Sequence, residues 1–104
     1  MRTVAILGVT GSVGRQALEI VRDHPDLRLV GLAAHASQAE VVAAAREHGA
    51  AVIALADPAA AERARSQFDG RVLGGQDGVV ELVRELRADI VLNAIVGSAG
   101  LEAT

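Results

Sequence analysis

The sequence predicts a doubly wound α/β domain on a parallel sheet of about five strands. Three observations predict it. Short apolar runs alternate with helix-period segments along the chain, the pattern of strand–helix–strand units. The first run, Val4 to Leu7, is continuously apolar, as strands buried on both faces are. It leads directly into a turn with regularly spaced glycines, Gly8, Gly11 and Gly14, at the start of a helical pattern.

Thr3 to Leu7 is the first predicted strand and Gly8 to Gly11 a turn. A helix follows from Ser12 to about Arg22, with Val13, Ala17, Ile20 and Val21 on one face of a 3.6-residue period. His24-Pro25-Asp26 ends it. Arg28 to Ala33 is the second strand. Ser37 then opens a second helix, with Glu40 three residues on to complete a capping box. That helix runs to His48, and Gly49 is its C′ residue. Ala51 to Leu55 is the third strand. Asp57 reads as an N-cap with Pro58 at the first helical position, giving a third helix from Pro58 to about Gln67. Arg71 to Leu73 is a weak fourth strand. A fourth helix starts at Asp77 or Gly78 and buries Val79, Leu82, Val83 and Leu86. Ile90 to Ala94 is the fifth strand, followed by a glycine-containing turn, Gly97-Ser98-Ala99-Gly100. Leu101 to Thr104 reads as the first turn of another helix. A complete doubly wound domain has about six strands, so the fold is expected to be incomplete at the C-terminus. Residues 1–104 read as the N-terminal dinucleotide-binding part of a longer protein.

Composition removes several functions. A chain of 104 residues holds one domain. Phe68 is its single aromatic residue, so stacking platforms for single-stranded nucleic acid are missing. The net charge of −3 also argues against a nucleic-acid partner. With no Cys, the chain has no disulfide, thiolate metal site or cysteine nucleophile. All ten basic residues are Arg, which excludes a P-loop lysine and a Schiff-base lysine. No apolar run approaches the roughly 18 residues of a membrane span, and the apolar stretch Val4 to Leu7 is too short for the h-region of a signal peptide. The expected compartment is the cytoplasm, with no membrane partner.

The segment Gly8-Val9-Thr10-Gly11-Ser12-Val13-Gly14 carries the main functional signal. It follows a strand and opens a helix, the context a dinucleotide fingerprint requires, although its spacing is G-x-x-G-x-x-G. Gly8 permits the tight turn, Gly11 lets the backbone approach a pyrophosphate, and Gly14 lets the helix lie close on the sheet. The backbone N–H groups of Thr10 to Val13 would face the phosphates, with the Thr10 and Ser12 hydroxyls as further donors. The helix dipole adds about 0.3–1 kcal/mol of attraction for an anion. The competing reading is a glycine-rich turn with no ligand. The fold rule for the first strand–helix pair favours a Rossmann-like dinucleotide site.

In such a site the end of the second strand meets the adenosine ribose, and an NAD-preferring protein places Asp or Glu there. The segment here is Ala33-Ala34-His35-Ala36-Ser37-Gln38. It has no carboxylate to repel a 2′-phosphate, so NADP is permitted, but the usual arginine is also missing. The candidates for that phosphate are the N–H groups opening the second helix, the Ser37 hydroxyl and His35. Ser37 reads equally as a pure helix cap, and His35 as an exposed loop residue. The small residues from Asn93 to Gly100 lie at the end of the fifth strand. They fit either a cofactor ring or close helix–sheet packing. His24 and His48 read as solvated helix ends, and Glu62, Arg63 and Arg65 as a solvated helix face. Ser12 is not in a nucleophile elbow, and no cluster has metal-ligand spacing. No catalytic acid, base or nucleophile is identified.

At the glycine turn the sequence resembles the 1-deoxy-D-xylulose 5-phosphate reductoisomerase family, which opens with G-S-T-G-S-I-G. Ala17-Leu18-Glu19-Ile20-Val21 with His24-Pro25, and Val30-Gly31-Leu32-Ala33-Ala34, are similar to the family's first helix and second strand. Ala94-Ile95-Val96-Gly97-Ser98-Ala99-Gly100-Leu101 resembles its A-I-V-G-[AS]-A-G-L, a more specific string than any glycine fingerprint. From about Gln38 to Arg87 the match is one of pattern.

The resemblance implies an NADPH-dependent, Mg- or Mn-requiring oxidoreductase of isoprenoid biosynthesis. Such an enzyme rearranges the sugar phosphate 1-deoxy-D-xylulose 5-phosphate and reduces it to 2-C-methyl-D-erythritol 4-phosphate, as a cytosolic homodimer. It implies that Thr10, Gly11, Ser12 and Val13 contact the cofactor, and that Ala94 and Ile95 lie near the nicotinamide. After the second strand the family often has glycine, a basic residue and asparagine, where this chain has His35, Ala36 and Ser37. Loss of a charged donor to the 2′-phosphate costs about 1.5–3 kcal/mol. The family's N-K-E motif, metal ligands, substrate-phosphate groups and lid have no counterpart in these 104 residues, so the isolated chain is expected to be inactive. The alternatives are another reductase with the same glycine spacing and a non-catalytic NAD(P)-sensing module.

Overall fold

The computed structural model describes residues 2–8 and 12–93, with the backbone alone for Ser12 and Val13. The sequence readings at Val9, Thr10, Gly11, Ala94, Ile95 and the following glycine turn lie outside the described residues. Strands and helices alternate strictly: β1 (Arg2–Leu7), α1 (Ser12–Asp23), β2 (Leu27–Ala34), α2 (Gln38–His48), β3 (Val52–Leu55), α3 (Pro58–Arg65), β4 (Arg71–Gly74), α4 (Gln76–Leu86) and β5 (Ile90–Asn93). All pairings are parallel, in the order β4-β3-β2-β1-β5. The chain winds outward from β1 to β4, and α4 then carries it back to place β5 on the far side of β1. The winding therefore reverses between β1 and β5.

The two faces of the sheet are built differently. On one, Val4, Ile6, Leu29, Leu32, Ile53 and Leu55 meet Ala17 and Val21 of α1, Val41, Val42 and Ala45 of α2, and Ala60, Ala61 and Ala64 of α3. On the other, the small residues Ala5, Ala33 and Ala54 meet α4 through fully buried Leu82, flanked by Val79, Val83 and Leu86. Small residues let α4 lie close. A Cβ on Gly31 would overlap the tip of Leu86, so β2 has glycine where α4 crosses it.

One irregularity sets which residues of β2 face which side. Val4 pairs with Leu29 but Ala5 pairs with Gly31, so Val30 is a bulge residue. Strict alternation would put Leu29 and Leu32 on opposite faces. The bulge brings both into the larger core.

Several local readings need correction. Ile20, expected on the buried stripe of α1, is 52% exposed. The buried positions are Gly14, Ala17 and Val21 with Leu18 half-buried, and at 3.6 residues per turn Ile20 falls on their flank. The capping box at Ser37 does not form. Ser37 makes no side-chain cap bond, and the Glu40 carboxylate lies 3.5 Å from Arg15 instead. The Asp57 cap does form, accepting from the Ala60 N–H at 3.1 Å, and Gly49 closes α2 in the left-handed conformation. The third helix stops at Arg65, short of Gln67. The fourth starts at Gln76, ahead of Asp77, after Gly75.

Candidate functional site

Ligands of open parallel sheets bind outside the carboxyl ends of the strands, where the winding reverses. Here that point lies between β1 and β5. Leu7 pairs with Asn93, so the carboxyl ends of β1 and β5 lie side by side. Gly8 has φ +79°, a conformation open to glycine and costly to residues with a Cβ. Its N–H donates to the Ala33 carbonyl at 2.8 Å. That bond ties the end of β1 to the end of β2, and the backbone of α1 starts at Ser12. Gly14, in the first turn, is buried.

The end of β2 is held as firmly. The Ala56 N–H donates to the Ala34 carbonyl at 3.0 Å, and the Asp57 N–H to the His35 carbonyl at 2.8 Å. His35 and Ser37 are both exposed on this loop. The Ser37 hydroxyl is not used by the helix, while its carbonyl accepts from the Val41 N–H at 3.1 Å. Gln38 turns back to the Ala36 carbonyl at 2.9 Å. The structure thus brings Gly8, Gly14, His35 and Ser37 to one end of the sheet. The described part of this rim consists of Gly8 with its positive φ at the switch point, the start of α1 and a carboxylate-free loop after β2.

Two cations reach the same rim from positions that local sequence does not mark. Arg15 of α1 lies 3.5 Å from Glu40 in the first turn of α2. Arg63 of α3 donates to the Gln38 side-chain carbonyl at 3.5 Å. Exposed Arg on a helix carries no local signal of what it faces across the fold. Their spacing from the loop could be read only once α1, α2 and α3 are known to share one face.

Other features lie elsewhere. An open groove of about 460 Å³ between α1 and α2 is lined by Val21, His24, Leu27 and His48, at the opposite end of the strands. His24 binds the Ile20 carbonyl through Nδ1 at 2.7 Å. Among the described residues, no three His, Asp or Glu side chains are grouped to hold a metal. No described helix is long and apolar enough to cross a membrane.

The family model described as 1-deoxy-D-xylulose 5-phosphate reductoisomerase matches residues 4–104. The chain belongs to this reductoisomerase family. The reductoisomerase of Rhodococcus jostii is 52% identical over 103 residues, covering 97% of this chain and 25% of its own length. That of Mycolicibacterium smegmatis is 50% identical with the same coverage. The chain thus spans about a quarter of the length of these reductoisomerases. Among solved structures, the Zymomonas mobilis reductoisomerase in complex with NADPH superposes with a TM-score of 0.84 at 31% identity, over 99% of this chain and 28% of that one. A reductoisomerase complex with NADPH, fosmidomycin and magnesium gives 0.85 at 31% identity, over 99% and 26%. The Rossmann-like parallel sheet predicted from sequence is therefore the fold shared with the reductoisomerases.

Proposed function

We propose that residues 1–104 form the N-terminal NADPH-binding part of an enzyme that rearranges 1-deoxy-D-xylulose 5-phosphate and reduces it to 2-C-methyl-D-erythritol 4-phosphate in isoprenoid biosynthesis. The observation that carries this reading is the rim at the β1–β5 switch point. There Gly8 turns at φ +79° into the start of α1, next to a β2 end without a carboxylate. The chain's membership of the family and its likeness to an NADPH complex supply the reaction.

In this reading Gly8, Thr10, Gly11, Ser12, Val13 and Gly14 cradle the pyrophosphate. The α1 N-terminus adds its donors and its dipole. His35 and Ser37 face the adenosine 2′-phosphate, and Ala94 and Ile95 lie against the nicotinamide end. When bound, NADPH supplies the hydride. What this chain does is hold and orient it, with the ring carried toward the end of β5. The Mg or Mn ion, the catalytic groups and the sugar-phosphate site belong to other parts of the enzyme, which we take to be a cytoplasmic homodimer.

The test is a titration with NADPH followed by nicotinamide fluorescence. With neither Trp nor Tyr in the chain, protein emission is almost nil. Saturable binding at one site is expected. A folded sample, checked by circular dichroism, that leaves the nicotinamide signal unchanged would sink the reading.

A further inference from the structure

A 2′-phosphate site needs positive charge, and the loop after β2, from His35 to Gln38, contains no arginine. The structure supplies one from another element. The loop is bracketed by the β3–α3 unit: Asp57 holds the His35 carbonyl at 2.8 Å, and Arg63, on the helix that Asp57 caps, reaches Gln38 at 3.5 Å. Ser37, with its hydroxyl unused by the helix, lies between the two contacts.

We propose that Arg63 recognises the adenosine 2′-phosphate, so that α3, rather than the loop after β2, supplies the charge that selects NADPH over NADH. This rests on the reading of the rim as an NADPH cradle. The charges around it favour the assignment. Arg63 has no carboxylate partner among the described residues. Among the described residues its guanidinium makes one hydrogen bond, a long one to a neutral amide, which a phosphate would replace with shorter, charge-assisted and bidentate bonds. The neighbouring cation Arg65 is already paired with Glu62 at 2.8 Å. The carboxylates near the loop are occupied: Glu40 lies 3.5 Å from Arg15, and Asp57 accepts from the Ala60 N–H of its own helix. A dianion placed beside Ser37 would therefore meet a guanidinium without an ion pair among the described residues, with Glu40 drawn to Arg15 and Asp57 turned into the cap of α3.

The experiment compares NADPH and NADH binding by the wild-type protein, Arg63→Gln and Arg63→Lys, again by nicotinamide fluorescence. Arg63→Gln is expected to weaken NADPH about 10- to 100-fold, the range for a lost hydrogen bond to a charged group, and to leave NADH unchanged. Arg63→Lys, which keeps the charge without the planar fork, should recover part of the loss. Wild-type NADPH affinity should also fall more steeply with salt than that of Arg63→Gln. An unchanged NADPH-to-NADH ratio in Arg63→Gln overturns the proposal and leaves the cradle standing. Equal weakening of both coenzymes does the same, because it marks a structural role. Binding of neither coenzyme by the folded wild-type protein overturns the cradle and this proposal with it.

Discussion

Thr3 and Asp89 clasp each other across the start of β1 and the approach to β5. The Thr3 N–H donates to Asp89 Oδ2 at 2.9 Å and its hydroxyl to the same oxygen at 3.2 Å, while the Asp89 N–H donates to Thr3 Oγ1 at 3.0 Å. β5 itself has four residues; Ile90 and Leu92 pack against the larger core, and Val91, between them on the other face, is 41% exposed. The clasp sets Val4 opposite Ile90. It thereby places Asn93 level with Leu7, where the candidate site begins.

Backbone and hydroxyl donation from Thr3 holds the Asp89 carboxyl below its ordinary value of 3.8. A lowered folded-state pKa stabilises the fold above the unfolded value, and the contribution is lost as pH falls through the folded one. Asp89→Asn should therefore lower the urea midpoint at neutral pH and flatten its fall from 3.8 downward. An acid limb with the same slope in both proteins would show that the clasp does not contribute.

Ser37 and Asp57 look alike in sequence, each placed before a helix, and should behave differently. Asp57→Ala removes a formed cap and should cost about 0.5–2 kcal/mol. Ser37→Ala should change stability by no more than about 0.5 kcal/mol, as at other exposed sites without a structural role, yet weaken NADPH binding. Chemical denaturation and fluorescence titration of both variants separate the roles. A stability loss in Ser37→Ala matching that of Asp57→Ala would place its hydroxyl in the helix cap.

Gly31 sits where α4 crosses β2 with the Leu86 tip over it. Gly31→Val should cost about 1–3 kcal/mol, the usual penalty for overfilling a close-packed contact. Leu86→Ala in the same protein should recover part of it, since the two changes share one space. Urea denaturation of the single and double variants measures the coupling, and strict additivity would argue against the contact.

Much of this protein was legible locally. The alternation of strands and helices, the Gly8 turn, the Asp57 cap and the Gly49 stop each depend on a few neighbouring residues, and backbone sterics and helix-end hydrogen bonding act at that range. The family resemblance was legible too, because its glycine turn and A-I-V-G-S-A-G-L string are short and contiguous. Tertiary structure decided the rest. Strand order placed β5 beside β1, a bulge at Val30 turned Leu29 and Leu32 to the same face, and packing put Ile20 outside the core. Glu40 went to Arg15 in place of the Ser37 backbone, and Arg63 came to the loop after β2 from a different helix. Each of these depends on what lies across the sheet or across a helix pair. Burial and charge pairing are settled there between residues far apart in the chain, where the propensity of a short segment has no influence.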